Sequence, residues 1–241
     1  MSKGVSVFQI EIRVTDLPRA MTFYRETFGW GVYQASPHYA LVDAGHMPVI
    51  GLMVDSRLPI GVAPLYLVGD CDAAVNRAKD LGGRVMFTRT EVPGAGWFTA
   101  AVDPWGNEIY FWQQVVHGEP KLKNQPPTPF TFIEIATPSL EKTTEYYNQL
   151  MAWSFWNVPF SPNYAIAEGH GMRRGIGIFG GATASGVLSY IDVPDLDETA
   201  KKIEANGGQV VVPAEPFLNE GRYLIFSDPS GNRLGAIQRT T

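Results

Sequence analysis

The strongest constraint on this chain is that it repeats itself. Ile10-Glu11-Ile12 returns as Ile133-Glu134-Ile135, and Tyr24 and Trp30 return as Tyr147 and Trp153, each 123 residues on. Tyr39, Gly82-Gly83 and Asp103-Pro104-x-Gly106-Asn107 return as Tyr164, Gly207-Gly208 and Asp228-Pro229-x-Gly231-Asn232, 125 residues on, so two residues are inserted between Trp153 and Tyr164. Matches in this order across two halves mark a duplication, which restricts the chain to two copies of one plan. What recurs reads as scaffold; what differs is where function has room to diverge.

A joint separates the copies. Residues 117–129 read HGEPKLKNQPPTP, and Pro126, Pro127 and Pro129 disfavour helix and central strand alike. This places domains at 5–115 and 130–239 with an extended linker over 116–129. Hydrophobic residues make up 45% of the chain and charged ones 18%, enough for each half to bury a core of its own. No run approaches the ~18 apolar residues of a membrane span, and the residues after Met1 show no signal-peptide pattern. The single cysteine, Cys71, excludes an intramolecular disulfide and suits a reducing compartment, so a cytoplasmic location is expected. With a net charge of −5 and no long basic run, neither nucleic acid nor a membrane is expected as a partner.

Within the first half, Val7 to Val14 alternates, with Phe8, Ile10, Ile12 and Val14 on one face and Gln9, Glu11 and Arg13 on the other. Asp16 stands where a helix N-cap belongs, Leu17, Met21, Tyr24 and Phe28 follow at helical spacing, and Gly29 suits the stop. Strand-like stretches follow at 32–34, 39–43 and 49–54. The plan then restarts: a strand at 65–68, a cap at Asp70 or Asp72, a helix over 74–81 ended by Gly82-Gly83, and strands at 85–88, 97–102 and 108–113. Each half therefore reads as β-α-β-β-β twice. The Asp-Pro-x-Gly-Asn segments lie between strands and read as tight hairpin turns.

This pattern resembles the vicinal oxygen chelate superfamily, which includes glyoxalase I, bleomycin-resistance proteins, fosfomycin-modifying enzymes and extradiol dioxygenases. The resemblance rests on Val14-Thr15-Asp16-Leu17 leading to Phe23-Tyr24 and Phe28-Gly29-Trp30, then Gly82-Gly83 and Asp103 to Asn107, with counterparts at Tyr146-Tyr147, Trp153, Gly207-Gly208 and Asp228 to Asn232. It implies an α+β fold of four β-α-β-β-β units in two tandem glyoxalase-like domains, a pseudo-dimer with concave β clefts. It also implies a divalent metal held by His, Glu or Gln from the first and last strands of the units. Carried over residue by residue, those positions fall on Gln9, Gly51, Pro64 or a neighbour, and Tyr110, and in the second half on Phe132, Gly177, Leu188 or Ser189, and Gly235. Of these only Gln9 is an acceptable ligand, short of the roughly three that a catalytic site needs. The expectation is no cofactor, with one divalent metal ion as the alternative.

Other residues could rebuild a site only in an unusual way. His117 lies at the linker, His46 and His170 read as exposed turn residues, and His38 precedes the repeated Tyr39. The repeated carboxylates Glu11 and Glu134 are the catalytic candidates: each sits mid-strand between isoleucines, where a carboxyl group inside a barrel has a raised pKa unless paired. The alternative for Glu11 is a buried ion pair or hydrogen bond with Arg13 or a backbone amide. Gln9, Arg13, Tyr110, Trp112 and Phe132 are the ligand-binding candidates, Tyr110 and Trp112 as an aromatic wall opposed to Gly235 and Ile237 in the other half. Trp97, Trp153 and Trp156 read as core packing. The glycine-rich stretch 171–181, with Arg173 and Arg174, lacks the ending of a phosphate loop and reads as a strand edge and hairpin. Cys71, near a helix start, could have a lowered thiol pKa but has no base beside it.

Two functions remain open. The first is a metal-free binder of a small organic molecule, similar to the bleomycin-resistance branch. The second is a lyase, isomerase or dioxygenase of the same superfamily, using an atypical metal set or a Glu general base. Either a monomeric pseudo-dimer or a homodimer is compatible with the sequence.

Overall fold

Asp16 and Asp70 set the starts of the first two helices. Their carboxylates accept from the backbone N–H groups of Arg19 and Ala73, each at 3.0 Å, satisfying amides that a helix N-terminus leaves bare. The computed structural model describes residues 4–43, 49–115, 130–172, 175–217 and 221–240. In the first half, β1 (Ser6–Arg13), α1 (Leu17–Phe28), β2 (Gly31–Ser36), β3 (Tyr39–Asp43) and β4 (Val49–Met53) form one β-α-β-β-β unit. A second follows in β5 (Gly61–Leu67), α2 (Cys71–Asp80), β6 (Arg84–Val92), β7 (Gly96–Val102) and β8 (Glu108–Gln114). The other half repeats the series as β9 (Phe130–Ala136), α3 (Leu140–Met151), β10 (Trp156–Asn157), β11 (Tyr164–Ala167) and β12 (Ile176–Phe179), then β13 (Gly186–Asp192), α4 (Leu196–Ala205), β14 (Gln209–Phe217), β15 (Gly221–Ser227) and β16 (Arg233–Arg239).

These strands make two eight-stranded sheets of identical plan, ordered β2-β3-β4-β1-β5-β8-β7-β6 and β10-β11-β12-β9-β13-β16-β15-β14. The first strand of each unit runs parallel to the last, and the hairpin neighbours β2–β3, β3–β4, β6–β7, β7–β8, β10–β11, β11–β12, β14–β15 and β15–β16 are antiparallel. A parallel pair needs a crossover, and the helix of each unit lies on that path. Helix α2 begins three residues before the expected 74, because Asp70 rather than Asp72 is its cap. The glycine-rich stretch forms an interior strand, β12, between β11 and β9, not an edge. No helix among the described residues is long and apolar enough to cross a membrane. The linker, His46, His117, Arg173 and Arg174 lie outside the described residues.

The compact units cut across the repeat. One consists of described residues within Met1–Phe8, Ala63–Gln125 and Phe132–Val187; the other of those within Gln9–Val62, Pro126–Thr131 and Leu188–Thr241. Each unit thus joins a β-α-β-β-β unit of one half to one of the other half.

In the unit containing α1 and α4, Tyr24 OH donates to Asp228 Oδ2 at 2.9 Å and Asn232 Nδ2 to the Arg13 carbonyl at 2.9 Å. In the unit containing α2 and α3, Tyr147 OH donates to Asp103 Oδ2 at 3.1 Å and Asn107 Nδ2 to the Ala136 carbonyl at 3.4 Å. The Asp-Pro-x-Gly-Asn segments are turns, as their composition requires, and they also tie the two halves of the chain together. The repeated Tyr and Trp form the same stack in each unit: Tyr24 on Trp30 and Tyr147 on Trp153, both with ring centroids 5.5 Å apart. Trp153 is fully buried, as expected of a core residue, whereas Trp156 is 44% exposed.

One helix end differs between the halves. Gly29 closes α1 at φ 71, but Ala152 closes α3 at φ 55, in the left-handed region that a Cβ disfavours. Ala152→Gly is expected to raise stability by about 0.5–1 kcal/mol, read as an increase in the denaturant midpoint at unchanged slope. An unchanged or lowered midpoint would show that other contacts hold this turn.

Candidate functional site

The alternation of β1 places Ile10 and Ile12, both fully buried, on one face and Gln9, Glu11 and Arg13 on the other. Gln9 and, from β3, Tyr39 meet around the Glu11 carboxyl group. Gln9 Nε2 donates to Glu11 Oε2 and, at 3.0 Å, to Tyr39 OH, and Tyr39 OH reaches the same Oε2 at 3.5 Å. Glu11 Oε1 is buried with no hydrogen-bond partner. Burial pushes Glu11 up to about 7, against the pull of Gln9, the Arg13 charge and Tyr39. Burial, then the neighbouring Glu11 charge, pushes the Tyr39 phenol up as well. The alternatives expected for Glu11, an ion pair with Arg13 or a bond to a backbone amide, are replaced by side-chain hydrogen bonds to Gln9 and Tyr39, with Arg13 acting through its charge.

Glycines make the room for this cluster. Gly51 is the register partner of Glu11, and a Cβ there would collide with Tyr39 OH and lie 2.7 Å from Glu11 Oε2. A Cβ on Gly61 would lie 2.6 Å from Arg13 Nη2. Both are below the distance that real Cβ atoms tolerate, so each glycine keeps a polar side chain in place by having none of its own.

The second half builds the same pair with a different surround. Glu134 lies opposite Gly177 in the β9–β12 ladder, and Tyr164 OH donates to Glu134 Oε2 at 2.5 Å. A Cβ on Gly177 would lie 2.5 Å from both the Tyr164 hydroxyl and Phe132 Cζ. Phe132, which is 2% exposed, takes the place of Gln9, and Ala136 that of Arg13. One floor is therefore polar on both sides of its carboxylate and the other apolar.

The closing strands are packed rather than open. Tyr110 is 4% exposed, clusters with Ala63, Leu65 and Ala100 beside Met86, Phe87 and Trp112, and donates to Glu108 Oε2 at 2.6 Å. Trp112 stacks on Phe8 at 6.3 Å, and its Nε1 is buried without a partner. Trp97 lies under the Arg89 guanidinium at 5.7 Å. In the second half the expected small-residue floor is absent, because the Tyr190 ring covers Gly235, its register partner. Tyr190 also packs against Phe217 and Tyr223. Sequence reasoning missed it because only the β13–β16 register brings it there.

The positions that the resemblance assigns to metal ligands do not make a donor set for a divalent ion. Gln9 is engaged with Glu11 and Tyr39, Gly51, Gly177 and Gly235 have no donor, Pro64 and Leu188 have none either, Phe132 is apolar, and Tyr110 is engaged with Glu108. Ser189 Oγ is buried without a partner, but Ser189 alternates with Tyr190 and so faces the other side of β13. Among the described residues no three His, Cys, Asp or Glu side chains come together. His38 is exposed. His170, expected to be exposed, is half-buried against Trp153 at 5.6 Å, and burial lowers its pKa. Cys71 is fully buried, with Sγ 3.5 Å from the Trp97 carbonyl, and burial, then Asp72 and Asp70, push its thiol up to about 11. That is the reverse of the lowering a helix start could bring, and it leaves a structural thiol.

Two sheets, each built from two β-α-β-β-β units and repeated along one chain, define a tandem protein of the glyoxalase-like kind. The chain belongs to the Glyoxalase/Bleomycin resistance protein/Dioxygenase superfamily, whose family model matches residues 6–111 and 130–235. It is 27% identical to the Mycobacterium tuberculosis protein named "Putative glyoxylase CFP32", over 92% of this chain and 90% of that one. Among solved structures it resembles the Mn(II)-bound glyoxalase of Novosphingobium aromaticivorans, with a TM-score of 0.66 and 15% identity over 99% of this chain and 83% of that one. It also resembles an extradiol ring-cleaving dioxygenase of B. fuscum, with a TM-score of 0.69 and 16% identity over 99% and 73%. At these identities the structural likeness concerns the fold.

Proposed function

We propose that this protein binds a small organic molecule without the divalent metal of its superfamily, using carboxylate–tyrosine pairs as the polar floor of its sites. The observation that carries this reading is the cluster at Gly51, where a ligand position of the resemblance is filled by the Glu11 carboxyl and the Tyr39 hydroxyl. The same trio recurs as Glu134, Tyr164 and Gly177. Gln9 and Arg13 serve the first floor, Phe132 the second, and Tyr110 and Trp112 supply apolar packing. A cytoplasmic location and a small-molecule partner, rather than nucleic acid or a membrane, accord with the net charge of −5 and the single buried cysteine.

The test is metal content by mass spectrometry on untagged, freshly purified protein, with thermal shifts on adding Mn²⁺, Fe²⁺, Co²⁺, Ni²⁺ or Zn²⁺. No bound metal and no shift are expected. Near one equivalent of metal with matching stabilisation would overturn the reading and place Gln9 in a metal site.

A second reading is favoured by one observation, the elevation of Glu11 to about 7, which suits a general base at neutral pH. The protein would then be a lyase or isomerase acting on an aldehyde, epoxide or vicinal dicarbonyl. Under that reading Glu11→Gln or Glu134→Gln abolishes turnover in a folded protein. Under the binding reading there is no turnover to lose, and Glu11→Gln or Glu134→Gln weakens the ligand at its own floor.

A further inference from the structure

The β-ladder carries a second piece of information about the first floor. Tyr33 pairs with Leu41, Leu41 with Gly51, and Gly51 with Glu11, so the four residues form one row across β2, β3, β4 and β1. Direct partners in neighbouring strands share a face, and strands spaced ~4.8 Å apart make the row roughly 14 Å long. Along it exposure falls from 62% at Tyr33 and 41% at Leu41 to 7% at Glu11. The row is an apolar ledge open at one end, with a dry carboxyl group at the other.

Resting on the metal-free reading above, we propose that this row binds a flat, uncharged organic molecule bearing one hydroxyl or N–H group, which donates to Glu11 Oε1. The unpartnered oxygen is the reason. Oε2 already receives Gln9 and Tyr39, while Oε1 is buried with nothing bonded to it. An unsatisfied buried polar atom costs about 1–3 kcal/mol and calls for an explanation. A ligand donor supplies one. Glu11 and Arg13, 5% exposed, act on one another through opposite charges, so an ion of either sign gains from one what it loses to the other, and an uncharged ligand is favoured. Leu41 and Tyr33 offer apolar surface to a ring system of two-ring length, and the room that Gly51 leaves in the row holds the Tyr39 hydroxyl and the Glu11 carboxyl. For a donor to reach Oε1, the half-buried Tyr39 phenol that fills this room has to turn aside.

The same row in the second half is Trp156, Ile166, Gly177 and Glu134. There Phe132 and Ala136 replace Gln9 and Arg13, so the arrangement that selects an uncharged donor is peculiar to the first half.

The experiment is calorimetric titration of the intact protein at pH 8 with 2-naphthol, 2-methoxynaphthalene, 2-naphthoate and 2-naphthylmethylammonium. The naphthol is expected to bind at least about 30-fold more tightly than the other three, since a site made for a donor rejects analogues that lack it or carry charge. Glu11→Met is expected to weaken the naphthol by about tenfold or more, the worth of one charge-assisted hydrogen bond. If that variant fails to fold, the naphthol-to-methoxynaphthalene ratio on the wild-type protein decides alone. Equal binding of the two, tighter binding of either charged analogue, or no binding of the naphthol would overturn the inference. Metal analysis of the same sample separates the two proposals: bound metal sinks the metal-free reading, whereas a metal-free protein indifferent to the hydroxyl sinks this one only.

Discussion

Asp228→Ala is expected to lower the stability of the protein by about 3–5 kcal/mol, and Asp103→Ala by a similar amount. Asp228 Oδ1 accepts from the backbone N–H groups of Ser230 and Asn232, and Oδ2 from Asn232 Nδ2 and the Tyr24 hydroxyl. Asp103 repeats the set with Trp105, Asn107 and Tyr147. Both carboxylates are nearly inaccessible, at 3% and 4% exposure, so alanine leaves several buried donors with no acceptor. Tyr24→Phe removes one bond alone and is expected to cost about 1 kcal/mol. Because Tyr24 and Asp228 share that bond, the double variant should lose less than the sum of the singles. Guanidinium unfolding of the four proteins checks this. A loss below 1 kcal/mol for Asp228→Ala would show that the turn stands without its carboxylate.

The second large effect depends on pH. Glu11 is raised from 4.5 to about 7 in the folded protein, chiefly by burial. A carboxyl group whose folded pKa is raised binds its proton more tightly in the native state. Stability therefore falls as pH rises from the unfolded value through the folded one. Glu11 should leave the protein unaffected below pH 4.5 and should destabilise it by about 3 kcal/mol once pH is well above 7. Glu11→Gln keeps the shape and can still accept from Gln9, but carries no charge. It should match the wild type near pH 4.5 and exceed it by up to about 3 kcal/mol at pH 8.5. Denaturant midpoints at the two pH values give the answer. A difference that does not grow with pH would mean that Gln9, Arg13 and Tyr39 offset the burial completely. A cost of this kind at neutral pH is compatible with the role proposed above for Glu11.

What the sequence could disclose was local. The alternation of Gln9 to Arg13, the caps at Asp16 and Asp70 and the turn at Asp103 depend on neighbours within a few residues, and each is where its spacing placed it. The pairing of Glu11 with Tyr39 depends on strands 28 residues apart meeting in one register. Gly51, Gly177 and Gly235 look like vacated ligand positions along the chain. In space they are the room needed by Glu11 with Tyr39, Phe132 with Tyr164, and Tyr190. The Asp-Pro-x-Gly-Asn turns were legible as turns, but their bonds to Tyr24 and Tyr147 span 204 and 44 residues and leave no local trace. Likewise the burial of Tyr110 on β8 follows from residues of β5, β6 and β7 packing around it, which a strand pattern alone does not report.

The exchange of units between the halves bears on how the protein is made. Tyr24 leaves the ribosome 204 residues before Asp228, its partner. At roughly 5–20 residues per second, the first β-α-β-β-β unit waits about 10–40 s for the strands that cover it. During that interval Phe23 and Phe28 lack Phe226, and for about the first half of it Trp30 lacks Phe130, the rings that later pack against them. The nascent chain thus presents an uncovered aromatic face, and a neighbouring chain at the same stage presents the identical one. Yield in the cell should accordingly depend on translation rate and on chaperone supply more than on the stability of the finished fold.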